Sequence, residues 1–177
     1  MQKLSMDQLN RTDLETFKNQ EKTRITIVLD SVRSMHNVGS SFRTADGFAI
    51  EQIFLCGITA TPPHREIEKT ALGATQSVKW TYQKDSLQAI LTLKEQGYKI
   101  IAVEQAEGSI MLNNFEPLSS EKYALVFGNE VNGVSEEIMG IIDACIEIPQ
   151  FGTKHSFNVS VTIGMVLWDF VTKMKFR

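Results

Sequence analysis

Cysteine, proline and long apolar runs are scarce in this chain of 177 residues, which holds 2 Cys and 4 Pro. Cys56 and Cys145 each sit inside a strand-like apolar run, with neither the density of a disulfide scaffold nor a C-x-x-C spacing. They read as buried free thiols of a reducing compartment. No stretch approaches the roughly 18 apolar residues of a membrane span, and the first residues lack the apolar core of a secretory signal. A cytoplasmic protein with no membrane partner is expected. An excess of one charge is also missing: 18 Lys and Arg stand against 21 Asp and Glu, a formal net charge of −3. A polyanion therefore has to be met by a local patch rather than by the whole surface. No internal repeat and no linker rich in Gly, Pro or Ser interrupts residues 24–173, which argues for one domain, taken as 23–177. Residues 1–22, with Leu4, Leu9, Leu14 and Phe17 set among charges, read as a short helical appendage packed on it.

Within the domain, strands alternate with helices. Residues 24–30 form a run rich in β-branched side chains, and from Asn37 to Ile50 the apolar positions Val38, Phe42, Ala45 and Ala49 recur at helical spacing. The pattern continues as a strand over 52–56, a loop around Pro62 and Pro63, a strand near 77–82, a helix over 86–96 and a strand over 99–104. After a looser stretch come a strand over 123–127, a helix over 135–142, a strand over 144–148 and a last helix to about Lys173. Segments 100–103 and 124–127 are unbroken apolar runs, as in a parallel sheet covered on both faces. The predicted class is α/β, a three-layer sandwich around a parallel sheet.

Charge is unevenly placed. Lys22, Arg24, Arg33 and Arg43 oppose only Asp30 in the first unit, whereas 104–147 carries nine acids against Lys122. A polyanion would prefer the first-loop side, helped by His64, Arg65 and the tail residues Lys173, Lys175 and Arg177.

Three loops follow apolar strands, where parallel α/β sheets bind ligands. In the first, Asn37 suits a helix N-cap, Gly39 permits close backbone approach, and Arg43 could project towards the loop. In the second, Gly128 and Gly133 frame a tight turn, and Ser135 could cap the next helix ahead of Glu136 and Glu137. Its G-x-x-x-x-G spacing lacks the Lys-Ser/Thr of a phosphate loop, and Glu130 would repel phosphate, so a nucleoside triphosphate site is disfavoured. The third runs from Ile148 and Pro149 through Gly152 to Ser156, Asn158 and Ser160 at a helix start. No G-x-G-x-x-G follows any strand, Ser156 lies outside a G-x-S-x-G, and His36, His64 and His155 lack zinc spacing. Nicotinamide, hydrolytic and metal chemistries are correspondingly disfavoured.

Taken in order, these loops resemble the three signature motifs of the SpoU (TrmH) family of RNA ribose methyltransferases, in the SPOUT superfamily. Segment 37–45 is similar to the first motif, 127–133 to the second, and Ile148, Pro149, Gly152 and 156–160 to the third, while 69–74 also fits the family pattern. Phe157 departs from it, standing where leucine or methionine is usual.

The resemblance implies a carboxyl-terminal deep trefoil knot, a homodimer, and a pocket for S-adenosylmethionine, with no metal, near Val103, Gly128, Asn129, Gly133, Ile148, Pro149 and Phe157. It implies methyl transfer to a ribose 2′-hydroxyl of tRNA or rRNA, with Arg43 catalytic and Asn37, Glu130, Ser156 and Asn158 assisting. Because the pKa of arginine exceeds ~12, phosphate binding and oxyanion stabilisation suit Arg43 better than base action. Glu130 could stabilise its loop or pair with Arg43. Candidate RNA contacts are Arg33, His36, Arg43, His64 and Arg65. Two other classes compete: an inactive RNA-binding or assembly factor on the same fold, and a flavodoxin-like nucleotide-binding domain, the latter disfavoured by its missing phosphate fingerprint.

Overall fold

The computed structural model describes residues 1–5, 7–9 and 11–176. Met6, Asn10 and Arg177 lie outside them. Seven strands form one sheet: β1 (Thr23–Asp30), β2 (Ile50–Cys56), β3 (Lys79–Gln83), β4 (Tyr98–Val103), β5 (Ile110–Met111), β6 (Lys122–Phe127) and β7 (Ala144–Glu147). Their order is β3-β2-β1-β6-β4-β7-β5 and every pairing is parallel. Strands β1, β6, β4 and β7 are therefore consecutive across the sheet although far apart in the chain. The loops that leave their carboxyl ends emerge side by side, which is how parallel sheets make ligand crevices.

Among the described residues seven α-helices accompany the sheet: α1 (Leu14–Asn19), α2 (Met35–Gly47), α3 (Arg65–Ala71), α4 (Ala74–Ser77), α5 (Ser86–Glu95), α6 (Glu136–Met139) and α7 (Val159–Phe176). Side-chain alternation along β1 sends Ile25, Ile27 and Leu29 into one core with Val38 and Phe42 of α2, Ile67 of α3 and Val166 and Phe170 of α7. Val28 goes to the other face, with Ile90 and Leu93 of α5 and Ile138 of α6. Helices on both faces make the expected three layers. None of the described helices is long and apolar enough to cross a membrane.

Several local expectations are corrected. Helix α2 begins before Asn37: Ser34 caps it, its Oγ accepting from Asn37 N at 3.3 Å, and Asn37 is buried in the first turn. Helices α3 and α4 fill the stretch between the expected loop around Pro62 and Pro63 and the expected strand near 77–82, with a break at Leu72 and Gly73, both at positive φ. Helix α6 is shorter than expected, ending at Gly140, and Ser135 makes no side-chain cap. Cys56 is buried, and desolvation pushes its thiol up to about 12, whereas Cys145 is only half-buried. Lys173 is unavailable to a polyanion: its Nζ is buried against the carbonyls of Leu112 at 3.0 Å and Phe115 at 2.7 Å, and pairs with Asp169 at 2.8 Å. In the appendage, Leu4, Leu9 and Leu14 are exposed and only Phe17 of α1 is partly covered.

Gly39 lets α2 lie directly on α3. A Cβ there would stand 2.2 Å from the carbonyl oxygen of Ile67, a backbone atom that cannot swing aside. Alanine would contribute about 1 kcal/mol in helix propensity, but overpacking costs about 1–3 kcal/mol or more. Because the clash is with backbone, the overpacking cost falls near the upper end, about 3 kcal/mol, and Gly39→Ala is expected to lower the stability measured by urea denaturation by about 2 kcal/mol; a variant as stable as the parent would contradict this packing.

Candidate functional site

Glu130, in the turn after β6, joins the first two motif segments. Its Oε2 accepts from Arg33 N at 2.9 Å, and its Oε1 accepts from Ser34 N at 3.1 Å and Asn37 Nδ2 at 3.2 Å. The carboxylate thus sits at the amino-terminal end of α2, where unpaired N–H groups and the helix dipole favour negative charge. Burial would raise its pKa, but the hydrogen bonds from Arg33, its own N–H, Ser34 and Asn37 outweigh that and hold it below the ordinary glutamate value. Its hydrogen bonds all go to the loop after β1 and the start of α2, and none of them, nor any ion pair, joins it to Arg43.

Asn37 passes the connection to the third segment. Its Oδ1 accepts from Asn158 Nδ2 at 3.1 Å, across 121 residues of chain. The Asn158 Oδ1 in turn accepts from Ser160 N at 2.9 Å, which caps the start of α7. The second segment closes on itself: Asn129 and Gly133 exchange two backbone hydrogen bonds of 2.9 Å, and Asn129 Nδ2 donates to Ser31 O at 2.7 Å. Gly128 is required because a Cβ there would lie 2.0 Å from the Gly133 carbonyl carbon. Asp30, 4 % exposed at the end of β1, accepts from Ser135 N at 3.0 Å and Ser86 Oγ at 2.7 Å, fixing the far end of the same turn.

Against this junction lies a cavity of about 430 Å³ at the carboxyl ends of β4, β6 and β7. Val103, Gly128, Asn129, Gly133, Ile148 and Phe157 line it, together with Glu130, Ser156 and Asn158. Pro149 lines an adjoining cavity of about 450 Å³ instead. Sequence reasoning missed Glu104, Gln105, Glu147 and Gln150 in the main cavity. Its walls combine apolar side chains with backbone and carboxamide groups, a setting for a flat heterocycle carrying polar substituents. Three carboxylates line it and no Lys, Arg or His does, so a triphosphate would be repelled and a cationic ligand accepted. The residues present therefore fit an adenosyl sulfonium compound. Among the described residues no group of three or more His, Cys, Asp and Glu side chains is placed to hold a metal ion.

The basic residues form a separate rim. Arg33, His36, His64 and Arg65 are exposed. His36 Nε2 lies 2.8 Å from Glu66 Oε2, Lys69 Nζ lies 2.7 Å from Glu66 Oε1, and His64 Nδ1 accepts from Glu66 N at 3.2 Å. Hydrogen bonds from Lys69 and His36 hold the Glu66 carboxyl below its usual range. Arg43 is exposed on α2 and has no hydrogen bond or ion pair among the described residues. It does not line the cavity of its own chain, and lies six residues beyond Asn37, about 9 Å along the helix axis. Arg43, expected to point towards the loop end of the helix, thus makes no contribution to the lining of the cavity in its own chain.

Comparison with known proteins adds to this geometry. The model of the SpoU rRNA Methylase family matches residues 24–168. A tRNA (guanosine(18)-2′-O)-methyltransferase of Borreliella burgdorferi is 27% identical over 162 residues, 92% of this chain and 72% of that protein. A 23S rRNA (guanosine-2′-O-)-methyltransferase of Neisseria meningitidis is 30% identical over 159 residues, 89% of this chain but 62% of that protein. The AdoMet-bound rRNA methyltransferase of Sinorhizobium meliloti superposes with a TM-score of 0.79 at 25% identity, over 88% of this chain and 58% of that one.

The depressed Glu130 pKa has a defined sign for stability. The contribution is present above the ordinary value of 4.5 and is lost as pH falls through the lower folded-state value. Glu130→Gln is expected to be less stable than the parent near neutrality, with the gap narrowing once pH drops below 4.5. Thermal unfolding across that range checks this; a gap independent of pH would contradict it.

Proposed function

Because the chain belongs to the SpoU rRNA methylase family, we propose that it is an S-adenosylmethionine-dependent RNA methyltransferase acting on a ribose 2′-hydroxyl of tRNA or rRNA. The observation that carries this reading is the hydrogen-bonded junction of Asn37, Glu130 and Asn158 beside a cavity without cations at the carboxyl edge of the sheet. The relatives that methylate the 2′-oxygen of guanosine in tRNA and in 23S rRNA support both RNA classes. The AdoMet-bound neighbour supports the donor.

When bound, S-adenosylmethionine supplies an electrophilic methyl group on a sulfonium. The chain's own groups do the rest. Val103, Gly128, Asn129, Gly133, Ile148 and Phe157 hold the donor, with Pro149 shaping the turn behind it. Glu130 locks the loop after β1, and Asn37 and Asn158 keep the first and third loops in register. Ser156, on the cavity wall, offers a hydroxyl to the ribose. Arg43 is a permanent cation that binds the phosphate next to the target ribose and stabilises negative charge developing on its 2′-oxygen. Arg33, His36, His64 and Arg65 extend the phosphate-binding rim.

The placement of Arg43 outside its own cavity fits a homodimer in which the two protomers complete each other's RNA site. The strand order and family membership support the deep trefoil knot, in which the turns after β6 and β7 wrap one donor. Action on tRNA or rRNA goes with a cytoplasmic location.

Incubation of the full chain with radiolabelled S-adenosylmethionine and RNA from cells lacking it, followed by mass-spectrometric mapping, is expected to reveal a new 2′-O-methyl ribose. A methylated base, or no transfer, would overturn the proposal. Arg43→Ala is expected to lower transfer by at least about a hundredfold, the scale of losing one oxyanion donor. Donor affinity measured by calorimetry should stay within about twofold, a change of less than ~0.5 kcal/mol.

A further inference from the structure

The donor cavity is lined by charge of one sign only. Glu104, Glu130 and Glu147 all line it, and none of its lining residues is cationic. Two of these carboxylates are committed to the fold. Glu130 accepts from Arg33 N, Ser34 N and Asn37 Nδ2, and Glu104 accepts from Gln105 N at 2.9 Å and Val134 N at 3.2 Å. A Cβ on Gly133 would stand 2.2 Å from Glu104 Oε2, so that carboxylate is also wedged in place.

Glu147 differs. It is half-buried at the end of β7, on the wall that the two adjoining cavities share, and its side chain has no hydrogen bond or ion pair among the described residues. A carboxylate half-buried in the wall of a cleft is a stronger counter-charge than one on open surface, because interactions there are less screened than in bulk water. The two forms of the donor differ in one charge. S-adenosylmethionine carries a sulfonium; S-adenosylhomocysteine, left after transfer, carries a neutral thioether with the same ammonium and carboxylate.

Resting on the donor reading above, we infer that Glu147 makes the cavity a charge-reading site that holds the sulfonium form and weakens its grip on the spent thioether. Charge, more than shape, then drives exchange of product for fresh donor. The same field keeps RNA phosphates out of the donor cavity and leaves them to the cationic rim.

Titration calorimetry of the full chain with S-adenosylmethionine and S-adenosylhomocysteine, for the parent and for Glu147→Gln, tests this. The substitution keeps the side-chain shape and breaks no hydrogen bond within the chain. The parent is expected to bind the sulfonium form about tenfold more tightly, equivalent to ~1.4 kcal/mol. Glu147→Gln is expected to cut that ratio at least threefold, chiefly by weakening the sulfonium form. A purely structural role would weaken both compounds alike and leave the ratio unmoved. A parent ratio near one, or one that survives the substitution, overturns the inference while leaving the donor assignment standing. Failure of both compounds to bind the parent overturns the donor assignment and this inference together.

Discussion

One carboxylate ties the site together. Glu130 reaches from the turn after β6 to the amino-terminal end of α2, and the amide of Asn37 it holds is in turn linked to Asn158 at the start of α7. Hydrogen bonds to a charged acceptor are worth more than neutral ones. Three loops that would otherwise be independently mobile therefore share one arrangement. The cavity and the exposed face of α2 are set relative to each other by that junction.

The sheet makes the junction possible. Placing β6 beside β1, and β4 and β7 beyond it, brings chain segments about a hundred residues apart to the same end of the sheet. Buried Asp30 then fixes the turn after β6 from the other side through Ser135 N. Glycines at 39 and 128 supply the close approaches, helix on helix at one and backbone on backbone at the other.

Much of this was legible in the sequence. The alternating strands and helices, the turn framed by Gly128 and Gly133, and the grouping of Asn37, Glu130 and Asn158 all followed from local pattern or family resemblance. What was not legible depended on strand order, which no local signal encodes. Glu104, Gln105 and Glu147 become cavity residues only because β4 and β7 are neighbours. Asn37 looked like a cap because its residue type favours one, but Ser34 three residues earlier had the backbone geometry and left Asn37 free to link two loops. Lys173 looked like a tail cation until the carbonyls of Leu112 and Phe115 surrounded it. Arg43 kept its place on the helix, yet it is exposed and lies outside the cavity, whereas Asn37 on the same helix bonds to two residues that line it.

Separating a cavity without cations from a cationic rim divides the work between two ligands of opposite character. The carboxylate-lined pocket suits a sulfonium, and the rim suits a phosphate backbone, so neither ligand competes for the other's ground. Amide hydrogen exchange of the full chain with and without S-adenosylmethionine measures this division directly. The account predicts slowed exchange in 103–105, 128–134 and 147–159, with the part of the rim on α3, from His64 onward, unchanged. Protection centred on the rim, or absent from the turn after β6, would contradict it.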